Sequence, residues 1–227
     1  MIATVDVADI GRSSLLRSLR HRPGPGDVAG LQWLDVAVAV PLATTKPPRF
    51  RRAALYALWD DENSARAFAA SNPVAKRFAG GFHAELEPLR AFGSWPGLPP
   101  GVSRSRHTEH HGPVMVLTLG RVRASQLPRF LRASRAAERA AVNAEGFLWG
   151  TASARPPFVA TLSVWASDEG AAAYAYADPG AAHPKAIAEQ RQKDFHRESA
   201  FIRFAVTSSA GVLPDAPAID FAAHSPS

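Results

Sequence analysis

The chain has 227 residues, enough for two compact units of about 100 residues, each able to bury a core of its own. Apolar residues make up 46% and charged residues 20%, which excludes a disordered chain. Cysteine is absent, which excludes disulfides, thiolate metal sites, iron–sulfur clusters and thiolate-ligated iron.

The formal net charge is +6, from 26 basic and 20 acidic residues. Arginines such as Arg12, Arg17, Arg20, Arg22, Arg49, Arg51 and Arg52 are scattered, without interleaved aromatics. The expectation is therefore an arginine-rich surface and no nucleic-acid partner. The longest apolar runs are strand-sized, so no transmembrane segment is expected. Met1-Ile-Ala-Thr-Val-Asp-Val7 has no basic stretch followed by an apolar core, so no signal peptide is read and a cytoplasmic location is expected.

Ile2 to Val7 alternates as a strand. Asp9 to His21 carries a helical stripe of Ile10, Leu15, Leu16 and Leu19, and Arg22-Pro-Gly-Pro-Gly-Asp27 ends it. Leu31 to Val40 and Arg52 to Trp59 read as strands. Asp60-Asp-Glu-Asn63 caps a helix with Ala65, Phe68 and Ala69 on one side. Asn72-Pro73 interrupts it, Val74 to Phe78 adds a turn or so, and Glu85 to Phe92 is the fourth strand. The order is βαββαβ, the ferredoxin-like unit.

Gly93 to Gly101 is Pro/Gly-rich and Ser103 to His111 is polar, which marks a linker. The order then repeats. Val114 to Leu119 is a strand, and Ser125 to Val142 is a helix with Leu127, Phe130, Leu131 and Ala137 as its stripe. Phe147 to Ser153 and Phe158 to Trp165 are strands, and Ser167-Asp-Glu169 caps a helix through Ala175. Pro184 starts a further helix, and Ala200 to Val206 is the last strand. Ala57-Leu-Trp-Asp-Asp-Glu-Asn-Ser-Ala65 aligns with Ser163-Val-Trp-Ala-Ser-Asp-Glu-Gly-Ala171. Two four-stranded sheets would bury their free faces together, giving an α+β fold of tandem ferredoxin-like repeats closed into one pseudo-dimeric barrel. The expected units are residues 1–93, a linker at 94–113, a second unit at 114–211 and a flexible tail at 212–227.

One histidine stands out in the second unit. His183 precedes Pro184, so its imidazole projects from a helix start among Ala181, Ala182, Ala186 and Ile187. Small and apolar neighbours leave room for a flat ligand beside the ring. In a chain without cysteine, imidazole is the good haem-iron ligand that remains; a capping or partly buried histidine is the alternative. His107, His110 and His111 with Glu109 resemble a metal cluster but lie in the polar linker, where a solvated loop is the plainer reading. His196 is placed near the end of the final helix, where a cation suits the dipole. On the last strand Ala200, Ile202, Phe204 and Val206 share one side, so Arg203 points to the other with Phe201. Arg203 suits either an anionic ligand or a structural bridge to an acid such as Glu198. No nucleophile elbow, P-loop or dinucleotide fingerprint is present.

Several segments carry a family resemblance: Thr45-Lys-Pro47, Ala57 to Arg66, Phe92-Gly-Ser-Trp-Pro-Gly97, Leu162-Ser-Val-Trp165, His183-Pro-Lys-Ala-Ile187, Phe195-His-Arg-Glu198 and Phe201-Ile-Arg-Phe204. Through them the chain resembles the spheroidene monooxygenase family, haem-containing oxygenases that install keto groups on acyclic carotenoids. The match runs from about Thr45 to Gly211. It departs at Phe195-His196, where relatives carry a tryptophan followed by an aromatic, and in the Arg- and Pro-rich first unit.

The resemblance implies haem b with His183 as the axial metal ligand. Trp165, Ile187, Phe201 and Phe204 would wall the porphyrin, and Arg203 or Lys185 would neutralise a propionate. It implies monooxygenation of a small or apolar organic substrate, fed by an electron donor or peroxide, with no catalytic acid–base residue named. Rival readings are a haem-dependent dehydratase or peroxide-using enzyme on the same barrel, a non-enzymatic binder of haem or a small ligand, and a cofactor-free barrel monooxygenase. Homo-oligomerisation through barrel edges is compatible with each.

Overall fold

The computed structural model describes residues 1–44, 50–105, 108–176, 195–216 and 219–221. The first half holds β1 (Ile2–Asp9), α1 (Arg12–Arg20), β2 (Leu31–Pro41), β3 (Arg52–Trp59), α2 (Glu62–Ser71), α3 (Pro73–Lys76) and β4 (Phe82–Gly93). The second holds β5 (Val114–Val122), α4 (Leu127–Val142), β6 (Phe147–Arg155), β7 (Phe158–Trp165), α5 (Asp168–Tyr176) and β8 (His196–Ala210).

All neighbouring strands run antiparallel, and the sheet closes in the order β1-β3-β2-β6-β7-β5-β8-β4. Within it the first half contributes β4-β1-β3-β2 and the second β8-β5-β7-β6, the same ferredoxin-like order twice. The seams are β2 on β6 and β4 on β8, so each strand that closes the barrel meets its own counterpart. The expected tandem α+β barrel is the architecture found. Even the irregularities repeat: β2 shifts register between Leu31 and Trp33 against Trp59, and β6 shifts between Phe147 and Trp149 against Trp165.

Alternation decides what enters the barrel. On β7 the inward side chains are Phe158, Ala160, Leu162 and Val164; on β8 they are Ala200, Ile202 and Phe204. The interior is packed. Trp33, Trp95 and Phe158 meet at ring-centroid distances of 5.4 to 6.0 Å, and the Arg121 guanidinium lies 5.2 Å from the Trp95 ring. Buried Tyr56 shares a 2.9 Å hydrogen bond with Ser153 Oγ, tying the two halves together from within. The segment expected as linker supplies Trp95 to this core. The stretch expected as a tail supplies Leu213, and the Pro214 carbonyl accepts from Trp149 Nε1 at 2.8 Å.

Asp61 is the acid that caps α2, accepting from Ser64 N at 2.9 Å, and Asn72 caps α3. Two expectations are corrected. His196 is not at a helix end: it opens β8, because pairing of β8 with β5 continues through Glu198 opposite Arg121 to His196 opposite Val122. Leu131 is not on the buried stripe of α4. The inward line runs through Phe130, Ala137 and Ala141, and Leu131, one residue and 100° further round, is 48% exposed.

Candidate functional site on the outer face of the second half

With the barrel interior filled, room for a ligand has to be sought on the two outer sheet faces. Both follow from one register. Across the first half, β4-β1-β3-β2, one outward row reads Glu85, Thr4, Ala57, Leu34 and the next His83, Asp6, Leu55, Val36. Across the second half, β8-β5-β7-β6, the equivalent rows read Arg203, Val116, Ser163, Gly150 and Phe201, Thr118, Thr161, Ala152. Equivalent positions thus pair Leu34 with Gly150, Val36 with Ala152 and Leu55 with Thr161. At these three positions the second half carries the smaller side chain, by the most at Gly150 and by the least at Thr161.

The coverings differ as well. In the first half Leu15, Ala65, Phe68, Val74 and Phe78 close over Leu34, Val36, Leu55 and Trp59, and every one is buried. In the second, the buried cluster among the described residues is Val114, Ala141, Trp165 and Ala171. Val116, Thr118, Thr161, Ser163, Ala152 and Phe201 are half-buried. Gly150 is needed for the close packing at the floor's edge, since a Cβ there would come within 2.4 Å of Leu42 Cδ1.

Of the expected site residues, Trp165, Phe201 and Arg203 face this floor. Trp165 stacks on Tyr174 at 5.0 Å, meets Phe147 edge-on at 5.5 Å, and donates from Nε1 to Ser163 Oγ at 2.9 Å. Arg203 Nη1 donates to Asp168 Oδ1 at 2.5 Å, with each side chain 6% exposed. The arginine is thus a structural bridge from β8 to the first turn of α5, with Asp168 rather than Glu198 as its acid; Glu198 pairs with Arg121. Arg203 Nε is buried and has no hydrogen-bond partner among the described residues. Phe204 does not join them: it points into the barrel and backs the floor from behind.

His183, Lys185 and Ile187 fall within 177–194, outside the described residues. The residues flanking that stretch lie beside α4: Tyr174 Oη donates to Ala137 O at 2.8 Å, and Arg129 lies 6.0 Å from the Phe195 ring. Of the linker histidines, His107 lies outside the described residues, and His110 Nε2 lies 3.3 Å from the Pro113 carbonyl. Among the described residues no three His, Asp or Glu gather as a metal site.

A residue the sequence placed elsewhere borders the floor. The His196 ring packs over Gly120, where an added Cβ would sit 2.5 Å from Cδ2, and meets Phe130 edge-on at 5.1 Å. Its Nδ1 is buried with no hydrogen-bond partner among the described residues, and burial pushes its pKa below the ordinary 6.5, which favours the neutral imidazole. The sequence signal for it was Gly120, a small residue opposite a ring one strand away. The first half behaves in the opposite way: His83 Nδ1 bonds Asp6 Oδ1 at 2.8 Å, and that bond raises its pKa. A second hollow of about 200 Å³ lies at the β2–β6 seam, between Leu42, Phe147, Trp149 and Pro214, with the Arg52–Asp215 pair in its lining.

A flat, largely apolar group such as a porphyrin fits this floor. Thr118, Thr161, Ser163 and Ala152 are short, Trp165 and Phe201 are aromatic, and His196 Nδ1 and Arg203 Nε have no hydrogen-bond partner among the described residues.

No protein-family model and no curated protein sequence matches the chain. Among solved structures, an aldoxime dehydratase is 10% identical, with 94% of this chain and 85% of that one covered and a TM-score of 0.50. A candidate monooxygenase from Fusobacterium nucleatum subsp. nucleatum is 13% identical over 92% and 94%, TM-score 0.42. The heme-degrading enzyme LmHde of Listeria monocytogenes is 16% identical over 89% and 99%, TM-score 0.30. The likeness is one of fold. At such identities the active residues have to be argued from this chain alone.

Proposed function

We propose that this chain is a haem-dependent monooxygenase for an apolar organic substrate, with haem b held on the outer face of the second half and His183 as its axial ligand. The supporting observation is the paired register: Ala152 and Thr161, both half-buried, stand where Val36 and Leu55 are packed shut in the first half. Residues 1–93 then serve as the structural unit and 114–211 as the ligand-bearing one, joined by 94–113.

Bound haem supplies the activation of dioxygen, with electrons from a donor, or of peroxide. The chain's own residues do the rest. His183 would offer an imidazole nitrogen to the iron. Trp165, Phe201 and Ile187 exclude water at the ring's edge, while Phe204 holds the floor from inside the barrel. Arg203 is already committed to Asp168 through Nη1, so its Nε, without a partner among the described residues, and Lys185 are the groups that would meet a propionate. His196, neutral at physiological pH, can hold a proton on one ring nitrogen and release it at the other.

The test is absorption spectroscopy of haem-reconstituted protein beside His183→Ala. A Soret band that weakens or shifts in the variant supports the reading, and a wild type that stays colourless rejects it. Turnover with reductant and dioxygen, compared with peroxide alone, separates the two modes of oxygen supply.

A further inference from the structure

The positive charge is less scattered than the sequence suggests. Helix α4 carries Arg129, Arg132, Arg135 and Arg139 against one acid, Glu138: a net +3, half of the chain's +6. All four arginines are exposed. Glu138 lies to the side, with its carboxylate accepting from Ala43 N at 3.1 Å. Arg132, Arg135 and Arg139 have no carboxylate within ion-pair distance among the described residues. Apolar side chains share the same outward line: Pro128 is exposed, Leu131 is 48% exposed and Val142 36%. Pro128, Leu131, Arg132, Arg135 and Arg139 line an open groove of about 440 Å³ with no acid in its wall. From Pro128 to Val142 the stripe runs about 21 Å.

We infer that this outward face of α4 is a docking surface for an anionic lipid bilayer. Guanidinia bind phosphate oxygens in bidentate fashion, and exposed Leu131 and Val142 supply aliphatic groups that can enter the headgroup boundary. A single-strand nucleic-acid reader would be expected to carry aromatic side chains among its basic residues for stacking, and this stripe has none; a duplex would use the guanidinia but give Leu131 and Val142 nothing apolar to enter. An acidic protein partner would call for a two-dimensional patch with a fully buried apolar centre, whereas this is one line on one helix. The inference stands on α4 alone and does not require haem.

The experiment is co-sedimentation of the full chain with vesicles of phosphatidylcholine alone, and with about a third phosphatidylglycerol, at low and high salt. The wild type is expected to bind the anionic vesicles at low salt, to release at high salt and to ignore the neutral ones. Each guanidinium near a charged surface contributes about five-fold to binding, so the triple variant Arg132→Gln/Arg135→Gln/Arg139→Gln is expected to bind about a hundred-fold less. Replacing the same three by lysine keeps the charge and is expected to keep most of the binding. Circular dichroism and the thermal midpoint check that the variants fold, as expected for exposed positions. Equal binding to neutral vesicles, no loss in the glutamine variant, or binding only to duplex DNA or an acidic protein run in parallel would each overturn the inference.

Discussion

The two halves of the barrel share strand order, register and even the site of a β-bulge, yet among the described residues one outer face is fully buried and much of the other is half-buried. The first half places Leu34, Val36 and Leu55 beneath Leu15, Phe68 and Phe78, which is the apolar burial that stabilises a sheet–helix layer. The second substitutes Gly150, Ala152 and Thr161 at the same positions and brings Arg203, Phe201 and His196 to the border. Under the proposed function a duplicated unit divides its labour: one copy holds the fold, and the other carries the surface on which a flat ligand lies.

The largest effect should come from the packed side. Trp59 is fully buried, lies against Phe68 at 5.0 Å and donates to Thr4 Oγ1 at 3.0 Å. Trp59→Ala is expected to cost about 3–5 kcal/mol in chemical denaturation. Thr161→Ala, on the half-buried floor of the other half, should cost less than about 1 kcal/mol. Equal losses would erase the proposed division.

Next in size is the bridge that anchors the open side. Asp168→Ala leaves the Arg203 guanidinium buried without its carboxylate and should cost about 3 kcal/mol. Adding Arg203→Met should restore much of that loss, because the uncompensated charge is then gone. A double variant no better than the single would argue against the pair as drawn.

The two histidines sharpen the contrast through pH. His83 has its pKa raised above 6.5, chiefly by its bond to Asp6. It therefore contributes stability that is fully present below pH 6.5 and is lost as pH rises through the folded value. His196 has its pKa lowered by burial, so the folded state resists protonation. Its penalty sets in as pH falls below 6.5 and levels off beneath the lowered value. His83→Gln should therefore lose more stability at about pH 5 than at about pH 8, and His196→Gln should gain at the acid end relative to wild type. Thermal midpoints across that range would show slopes of opposite sign; slopes of the same sign would contradict the environments described.

Much of this was legible from sequence because it is local. Alternation marked Phe158 to Trp165 as a strand and put Ala200, Ile202 and Phe204 on one side of the last strand, which proves to be the inner one, and the Asp61 cap stands where the Asp60–Asn63 run suggested. The repeat of Ala57 to Ala65 at Ser163 to Ala171 foretold the duplication. What escaped depends on partners far along the chain. His196 belongs to a strand because β5 pairs with it, a contact some 75 residues away that no local pattern in Phe195-His-Arg-Glu encodes. Phe204 was grouped with Phe201 as a porphyrin wall although the two stand three apart on a strand and so face opposite ways. The arginine stripe on α4 was masked by grouping Leu131 with Phe130: only the helix's docked orientation turns the former outward.

The most direct test of the central claim is a haem titration, followed by absorption, of wild type and Thr161→Trp, with circular dichroism confirming that both fold. Thr161 sits mid-floor between Thr118 and Ala152, so an indole there should fill the place the account reserves for the ring. The account predicts that the wild type saturates with a Soret band and that Thr161→Trp does not. A wild type that takes up no haem, or a Thr161→Trp that binds it as well as the wild type does, would contradict it.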